Sequence, residues 1–147
     1  MKTRLFKGKE QIFCEWRRRW VRLTPEEWVR QQLLHRLVEQ LDYPASLIAV
    51  EVALEKLCTD AALLSTKKRA DAIVYDPQMH PLMLIECKAE TVPLTQKTLD
   101  QAVTYNRRLN VPFLMLHNGV QTITISIDGN NHNLTGLPRY ADLLRRE

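Results

Sequence analysis

Residues 67–88 read KKRADAIVYDPQMHPLMLIECK, and their pattern decides the fold. Two apolar, β-rich runs, 70–76 and 81–88, flank a turn at Pro77-Gln78-Met79-His80, where an Asp-Pro pair ends the first run. This is a hairpin. Closed symmetrically about the 78/79 bond, it sets Tyr75 opposite Leu82, Ile73 opposite Leu84 and Asp71 opposite Glu86. Side chains alternate along a strand, so Lys88 shares a face with Glu86 and Cys87 points the other way. One face therefore gathers Asp71, Glu86 and Lys88. Like charges directly opposite each other are destabilising, and more so in strands apolar enough to be covered on both sides. A divalent cation with oxygen ligands would compensate them; so would the Lys88 ammonium, which would make the group an ion pair at a strand end.

Asp71, followed by the Glu86-Cys87-Lys88 triplet at the end of the next strand, resembles the D…(D/E)-x-K signature of the PD-(D/E)XK nuclease superfamily. The wider context, Lys68-Arg69-Ala70-Asp71 and Leu84-Ile85-Glu86-Cys87-Lys88-Ala89, is similar to the N-terminal nuclease domain of type I restriction enzyme R subunits. Ala70 stands where the superfamily's name has proline, as in many members. The resemblance implies a Mg²⁺-dependent endonuclease acting on DNA in restriction-modification. Asp71 and Glu86 would bind Mg²⁺ or Mn²⁺, with the Cys87 backbone carbonyl as a third oxygen. Lys88 would orient the attacking water or stabilise the pentacovalent oxygens. Gln101-Ala102-Val103-Thr104-Tyr105 matches the Q-x-x-x-Y element of the R-subunit domains, which implies Gln101 beside the acids and Tyr105 on the substrate backbone. An acid of the first helix often joins such sites, and the Pro25-Glu26-Glu27…Arg30 run resembles that element, with Glu27 the expected acid.

Elsewhere the residues speak for themselves. The 147 residues suit one domain, and 45% hydrophobic with 26% charged side chains is an ordinary globular composition. No run of about 18 apolar residues and no leader pattern occurs, so a cytoplasmic protein with no membrane partner is expected. Cys14, Cys58 and Cys87 are odd in number and widely spaced, which favours neither disulfides nor zinc. Residues 1–22 carry eight basic side chains against Glu10 and Glu15, a net +6 in a chain of +4, so the remaining residues, 23–147, net −2. This basic segment, with Phe6, Phe13, Trp16 and Trp20 interleaved, either tracks phosphates or docks on the nuclease-like domain expected over 23–147. Lys67, Lys68 and Arg69 either grip phosphates beside the acids or form a solvated charge run.

Thr24-Pro25-Glu26-Glu27 starts a helix that runs to about Leu41, ahead of Tyr43-Pro44, with Val29, Leu33, Leu34, Leu37, Val38 and Leu41 on one arc. Glu26 and Arg30 fall in the first turns of that arc. Leu47–Leu54 reads as a strand whose Glu51 either steadies Lys68 or Arg69 or marks an exposed position. Residues 55–66 fit a helical turn, a loop or a strand extension. A helix from Leu94 or Thr95 to Leu109, a buried strand at 111–117, an Asn118-Gly119 turn and a strand at 122–127 follow, with a further turn at Asp128-Gly129-Asn130 and a short final helix or tail at 138–147. The expected core is therefore α-β-β-β-α-β-β, an α/β, restriction-endonuclease-like mixed sheet whose third and fourth strands run parallel across a helical crossover.

No P-loop motif is present, which excludes an internal ATP-driven motor. The chain is then a free-standing nuclease or one that acts beside a separate motor or specificity partner. Many nucleases of this type cut as homodimers, although no residue here marks an interface. A catalytically silent nucleic-acid-binding or interaction module of the same fold is the alternative.

Overall fold

Lys7 and Gly8 both have left-handed backbone (φ 51° and 77°), the two-residue loop whose twist matches its flanking strands. They turn the basic segment back on itself. In the computed structural model, which describes residues 1–54, 69–126, 133–134 and 136–145, this segment is a three-stranded antiparallel sheet. Its strands are β1 (Thr3–Phe6), β2 (Lys9–Cys14) and β3 (Arg19–Arg22). Sequence reading did not anticipate these strands, because their alternation is diluted by charges and only Ile12 and Cys14 become fully buried. Trp16, in the β2–β3 turn, donates its indole N–H to the Ala45 carbonyl (3.2 Å) and stacks edge-on against His35 (5.3 Å).

Helix α1 (Pro25–Leu41) begins as its sequence dictates: the Thr24 hydroxyl accepts the Glu27 N–H at 3.0 Å and proline fills the first turn. Val29, Leu33, Leu34 and Leu37 are buried, with Val38 and Leu41 packed beside them. A short 3-10 turn at Ala45–Leu47 leads into β4 (Ile48–Ala53), then β5 (Arg69–Tyr75) and β6 (Pro81–Cys87). Helix α2 (Gln96–Leu109) follows, capped by the Thr95 hydroxyl, then β7 (Phe113–His117), β8 (Thr122–Ser126), β9 (Asn133–Leu134) and a last short helix, α3 (Tyr140–Leu144). Between β7 and β8, Asn118 side-chain Oδ1 accepts the N–H groups of Val120 and Gln121, and Gly119 takes φ 92°.

The described strands β4 to β9 form one sheet in sequence order, antiparallel except for the β6–β7 pair, which the α2 crossover makes parallel. The core order is α-β-β-β-α-β-β, a restriction-endonuclease-like mixed sheet with helices on both faces. The α1 layer packs on Val74, Met83, Ile85, Phe113 and Met115; the α2 layer packs on Ile73, Leu84, Leu114 and Leu116. Among the described residues no helix is long and apolar enough to cross a membrane. Cys14 and Cys87 are buried free thiols.

The hairpin register holds at Ala72↔Ile85, Ile73↔Leu84 and Val74↔Met83, then shifts: Tyr75 pairs with Pro81, not Leu82. The cause is Asp76, whose carboxylate accepts the Gln78 and His80 N–H groups while its own N–H donates to the His80 carbonyl. That loop is tighter than a symmetric closure and leaves Met79 at φ 66°. The expectations for 55–66, Lys67, Lys68, Cys58, Asp128-Gly129-Asn130 and the Tyr105 side chain fall outside the described residues.

Candidate active site

Four strand and helix positions converge where β4 and β5 change layers. Val50 and Ala72 pack in the α1 layer, whereas Val52 and Ala70, two residues along each strand, pack in the α2 layer. Between them sit Glu51, at φ 54°, and Asp71. A non-glycine residue in that region is strained, and such strain concentrates at functional positions. The twist lets Asp71 address both sides of the sheet.

On the α1 side Asp71 meets an arginine. Arg30 is 7% exposed; its Nη1 lies 3.5 Å from Asp71 Oδ1 and its Nη2 3.4 Å from Glu51. The same guanidinium hydrogen-bonds to Glu27, one turn earlier on α1. Glu27 also takes two hydrogen bonds from Arg17 Nη2, at 2.6 and 2.7 Å, and one from Gln31 Nε2 at 3.1 Å. Arg17 belongs to the β2–β3 turn, where its N–H and Nε donate to Cys14 Sγ, and its Nη1 reaches to 3.5 Å from Glu51. Burial pushes the Glu27 carboxyl up, but the hydrogen bonds from Arg30 and Arg17 outweigh it and hold the carboxyl below its ordinary value.

On the β6 side, the Cys87 N–H donates to Asp71 Oδ2 at 2.7 Å, and the Ala72↔Ile85 pairing brings Glu86 alongside Asp71 on the neighbouring strand. Burial raises the Asp71 carboxyl above its usual range; the Cys87 N–H, Arg30, Glu86 and Lys88 only partly offset it. Two carboxyls on adjacent strands repel when both are ionised, which a cation between them or a proton on one of them relieves. Burial likewise pushes the Cys87 thiol well up, which leaves it an inert apolar group. Glu86 and Lys88 open onto a cavity of about 730 Å³ that Arg69 and Gln101 also line.

The structure brings Asp71, Glu86, Lys88 and Gln101 to one region. It does not bring Glu27 there. Buried and filled by Arg17, Arg30 and Gln31, Glu27 has no oxygen left to face the cavity, which corrects the expectation that it is the helix acid of the site. Its neighbour Glu26 is exposed, and its carboxyl is raised by burial and then by the charge of Asp71, with Lys88 acting in the opposite sense. Glu26 is therefore the α1 acid that shares a field with the pair. Arg69 donates to the Glu51 carbonyl at 3.1 Å, so it is tied to β4 while it borders the cavity. Arg30 in the apolar arc of α1 was the sequence signal for the buried cluster; Arg17, inside a run of three arginines, carried none.

Among the described residues, no group of three or more His, Cys, Asp or Glu side chains is arranged to hold a metal. The donors that do converge are the carboxyls of Asp71 and Glu86. Mg²⁺ commonly uses only one or two carboxylates and keeps several waters, so Asp71 and Glu86 fit it or Mn²⁺ in number and type.

Fold and site together define a restriction-endonuclease-like domain. The family model described as "Type I restriction enzyme R protein N terminus (HSDR_N)" matches residues 25–139, and the chain belongs to that family, as a restriction-enzyme nuclease-like domain. A solved fragment of a protein described as an HsdR subunit of a type I restriction enzyme, from Vibrio vulnificus YJ016, is similar in fold, with a TM-score of 0.57 at 19% identity. The match covers 82% of this chain and 24% of that one, so this chain spans about a quarter of its length. Among curated proteins, none matches this sequence.

Proposed function

We propose that this domain hydrolyses phosphodiester bonds in DNA with the help of Mg²⁺ or Mn²⁺ held by Asp71 and Glu86. The observation that carries the reading is the carboxyl pair itself: Asp71 is tied by the Cys87 N–H, and the residues on either side of Cys87, Glu86 and Lys88, line a cavity large enough for a nucleotide unit. A divalent cation bound there would lower the pKa of a water and neutralise charge building on the phosphate.

The chain's own residues supply the rest. Asp71 is fixed by a backbone N–H and by Arg30, so it is set in place before substrate arrives. Arg30 lends positive charge from the α1 side without leaving Glu27. The Lys88 ammonium orients the water or stabilises the oxygens at phosphorus, a fixed charge where negative charge develops. Gln101 offers its amide from α2 at the same cavity, and Arg69 meets the phosphates flanking the scissile bond. Glu26, the exposed α1 acid whose carboxyl feels the charges of Asp71 and Lys88, would serve as a further oxygen donor. These 147 residues contain no P-loop, so any translocation is driven by residues outside them.

The test is supercoiled-plasmid nicking with Mg²⁺ or Mn²⁺ by the wild type and by Asp71→Ala, Glu86→Ala and Lys88→Ala. The wild type should nick and each variant should not, with far-ultraviolet circular dichroism unchanged. Nicking retained in all three variants would overturn the reading.

A further inference from the structure

The outward face of the β1–β3 sheet is a second cationic surface that the proposed chemistry does not use. Residues paired across antiparallel strands share a face. The register sets Arg4 beside Gln11 and Arg22, Phe6 beside Lys9, and Phe13 beside Trp20; Lys2, whose carbonyl accepts the Phe13 N–H at 2.9 Å, continues it. Ile12 and Cys14, buried against the domain, lie on the opposite face, together with Glu10, which pairs with Leu5. The outward face thus carries Lys2, Arg4, Lys9 and Arg22 with three aromatic rings and no carboxylate.

Its side chains are already ordered. The Arg4 guanidinium sits 4.3 Å from the Trp20 ring centroid and 4.8 Å from that of Phe6, and its Nε donates to Gln11 Oε1 at 2.8 Å. Trp20 meets Phe13 edge-on at 5.5 Å, while Phe6 remains 45% exposed, with Lys7 over its ring at 5.4 Å. A stacked guanidinium keeps its outer N–H groups for a phosphate, and less entropy is lost when it binds. Exposed rings among cations suit a chain of phosphates whose bases are free to stack, whereas a duplex hides its bases.

We infer that the outward face of β1–β3 is a docking surface for single-stranded nucleic acid: Lys2, Arg4, Lys9 and Arg22 take the phosphates and the Phe6 ring takes a base. The inference extends the nucleic-acid reading above but not its chemistry, so cleavage and docking can fail separately. Arg17 ties this sheet to the acid cluster through Glu27 and Glu51, which makes the surface part of the same rigid unit as the candidate site.

The experiment is fluorescence anisotropy of the full chain carrying Glu86→Gln, in EDTA, with a labelled oligothymidylate and a labelled duplex of equal length. Three proteins are compared: this parent, the same chain with Arg4→Gln, Lys9→Gln and Arg22→Gln, and a charge-matched control with Arg36→Gln, Lys97→Gln and Arg145→Gln. Losing three phosphate contacts should weaken single-strand binding about a hundredfold at about 0.1 M salt and make the log–log salt slope shallower by about 2, from about 0.7 per contact. Phe6→Ala should weaken single-strand binding about fivefold or more and leave duplex binding unchanged. All these side chains are exposed, so thermal melts should coincide with the parent's. Equal losses in the triple variant and its control, oligonucleotide binding unmoved in the triple variant, or single-strand binding unmoved by Phe6→Ala would overturn the inference.

Discussion

The Cys87 N–H lies 2.7 Å from Asp71 Oδ2, and that hydrogen bond joins the two halves of the site. Cys87 stands between Glu86 and Lys88 in the chain, so the N–H that anchors Asp71 belongs to the residue whose neighbours are the other acid and the lysine. The side chain of Cys87 is core; its backbone is what the site uses.

Glu26 and Glu27 should separate function from stability. Glu27→Gln leaves Arg17 and Arg30 buried with a neutral partner, and breaking a buried ion pair from one side costs about 3 kcal/mol. For a chain of this length that lowers the melting temperature by about 6–12 °C, as calorimetry would show. Glu26→Gln touches an exposed side chain and should change stability by less than about 0.5 kcal/mol. Its metal-dependent nicking should nevertheless fall about tenfold or more, as for groups that tune a metal site.

Asp71 and Glu27 make opposite contributions to the pH dependence of the metal-free protein. The Glu27 carboxyl is lowered in the fold, so its stabilisation is present above the ordinary glutamate value of about 4.3 and is lost as pH falls through the folded value. The Asp71 carboxyl is raised, so its contribution is fully present below the ordinary aspartate value of about 3.9 and is lost as pH rises through the folded value. Asp71→Asn, which mimics the neutral acid, should therefore raise the melting temperature in EDTA at alkaline pH, and the gain should shrink on acidification. Added Mg²⁺ should stabilise the wild type and not this variant.

Metal binding should expel the proton that the raised Asp71 carboxyl holds below its folded value. Below the raised Asp71 value, the heat of Mn²⁺ titration should vary with the ionisation enthalpy of the buffer; well above it, that dependence should vanish. The apparent affinity should rise with pH across the same range. Glu27 holds no such proton, so the dependence should be absent in Asp71→Asn.

Lys88 and Gln101 line the cavity without belonging to the carboxyl pair. Lys88→Ala should cut nicking about a hundredfold or more, the usual scale for loss of a preorganised electrostatic group, with Mn²⁺ affinity changed by no more than a few-fold. Gln101→Ala should show a smaller loss of rate at unchanged metal affinity. Titration and nicking on the same preparations distinguish these effects from loss of metal.

The central hairpin, the parallel crossover and the cap at Thr24 were legible because each rests on a local rule: apolar alternation, a helix between strands, a hydroxyl before a helix. Asp71, Glu86 and Lys88 were legible because register fixes which side chains face each other. Glu27 was misjudged because the resemblance marks the Pro25-Glu26-Glu27 run without separating its two acids. What separates them is Arg17, which arrives from a β2–β3 turn ten residues earlier in the chain through a sheet that charged residues concealed. The shift at Tyr75 was hidden for a similar reason, since it depends on which N–H groups the Asp76 carboxylate collects.

The most direct measurement is calorimetric titration of Mn²⁺ into the wild type and Glu86→Ala, with plasmid nicking assayed on the same samples. Saturable binding and nicking in the wild type, both lost in Glu86→Ala, are the predicted result. A wild type that binds no divalent cation even with DNA present would contradict the account and leave Asp71 and Glu86 as a metal-free carboxyl pair in a catalytically silent binding module.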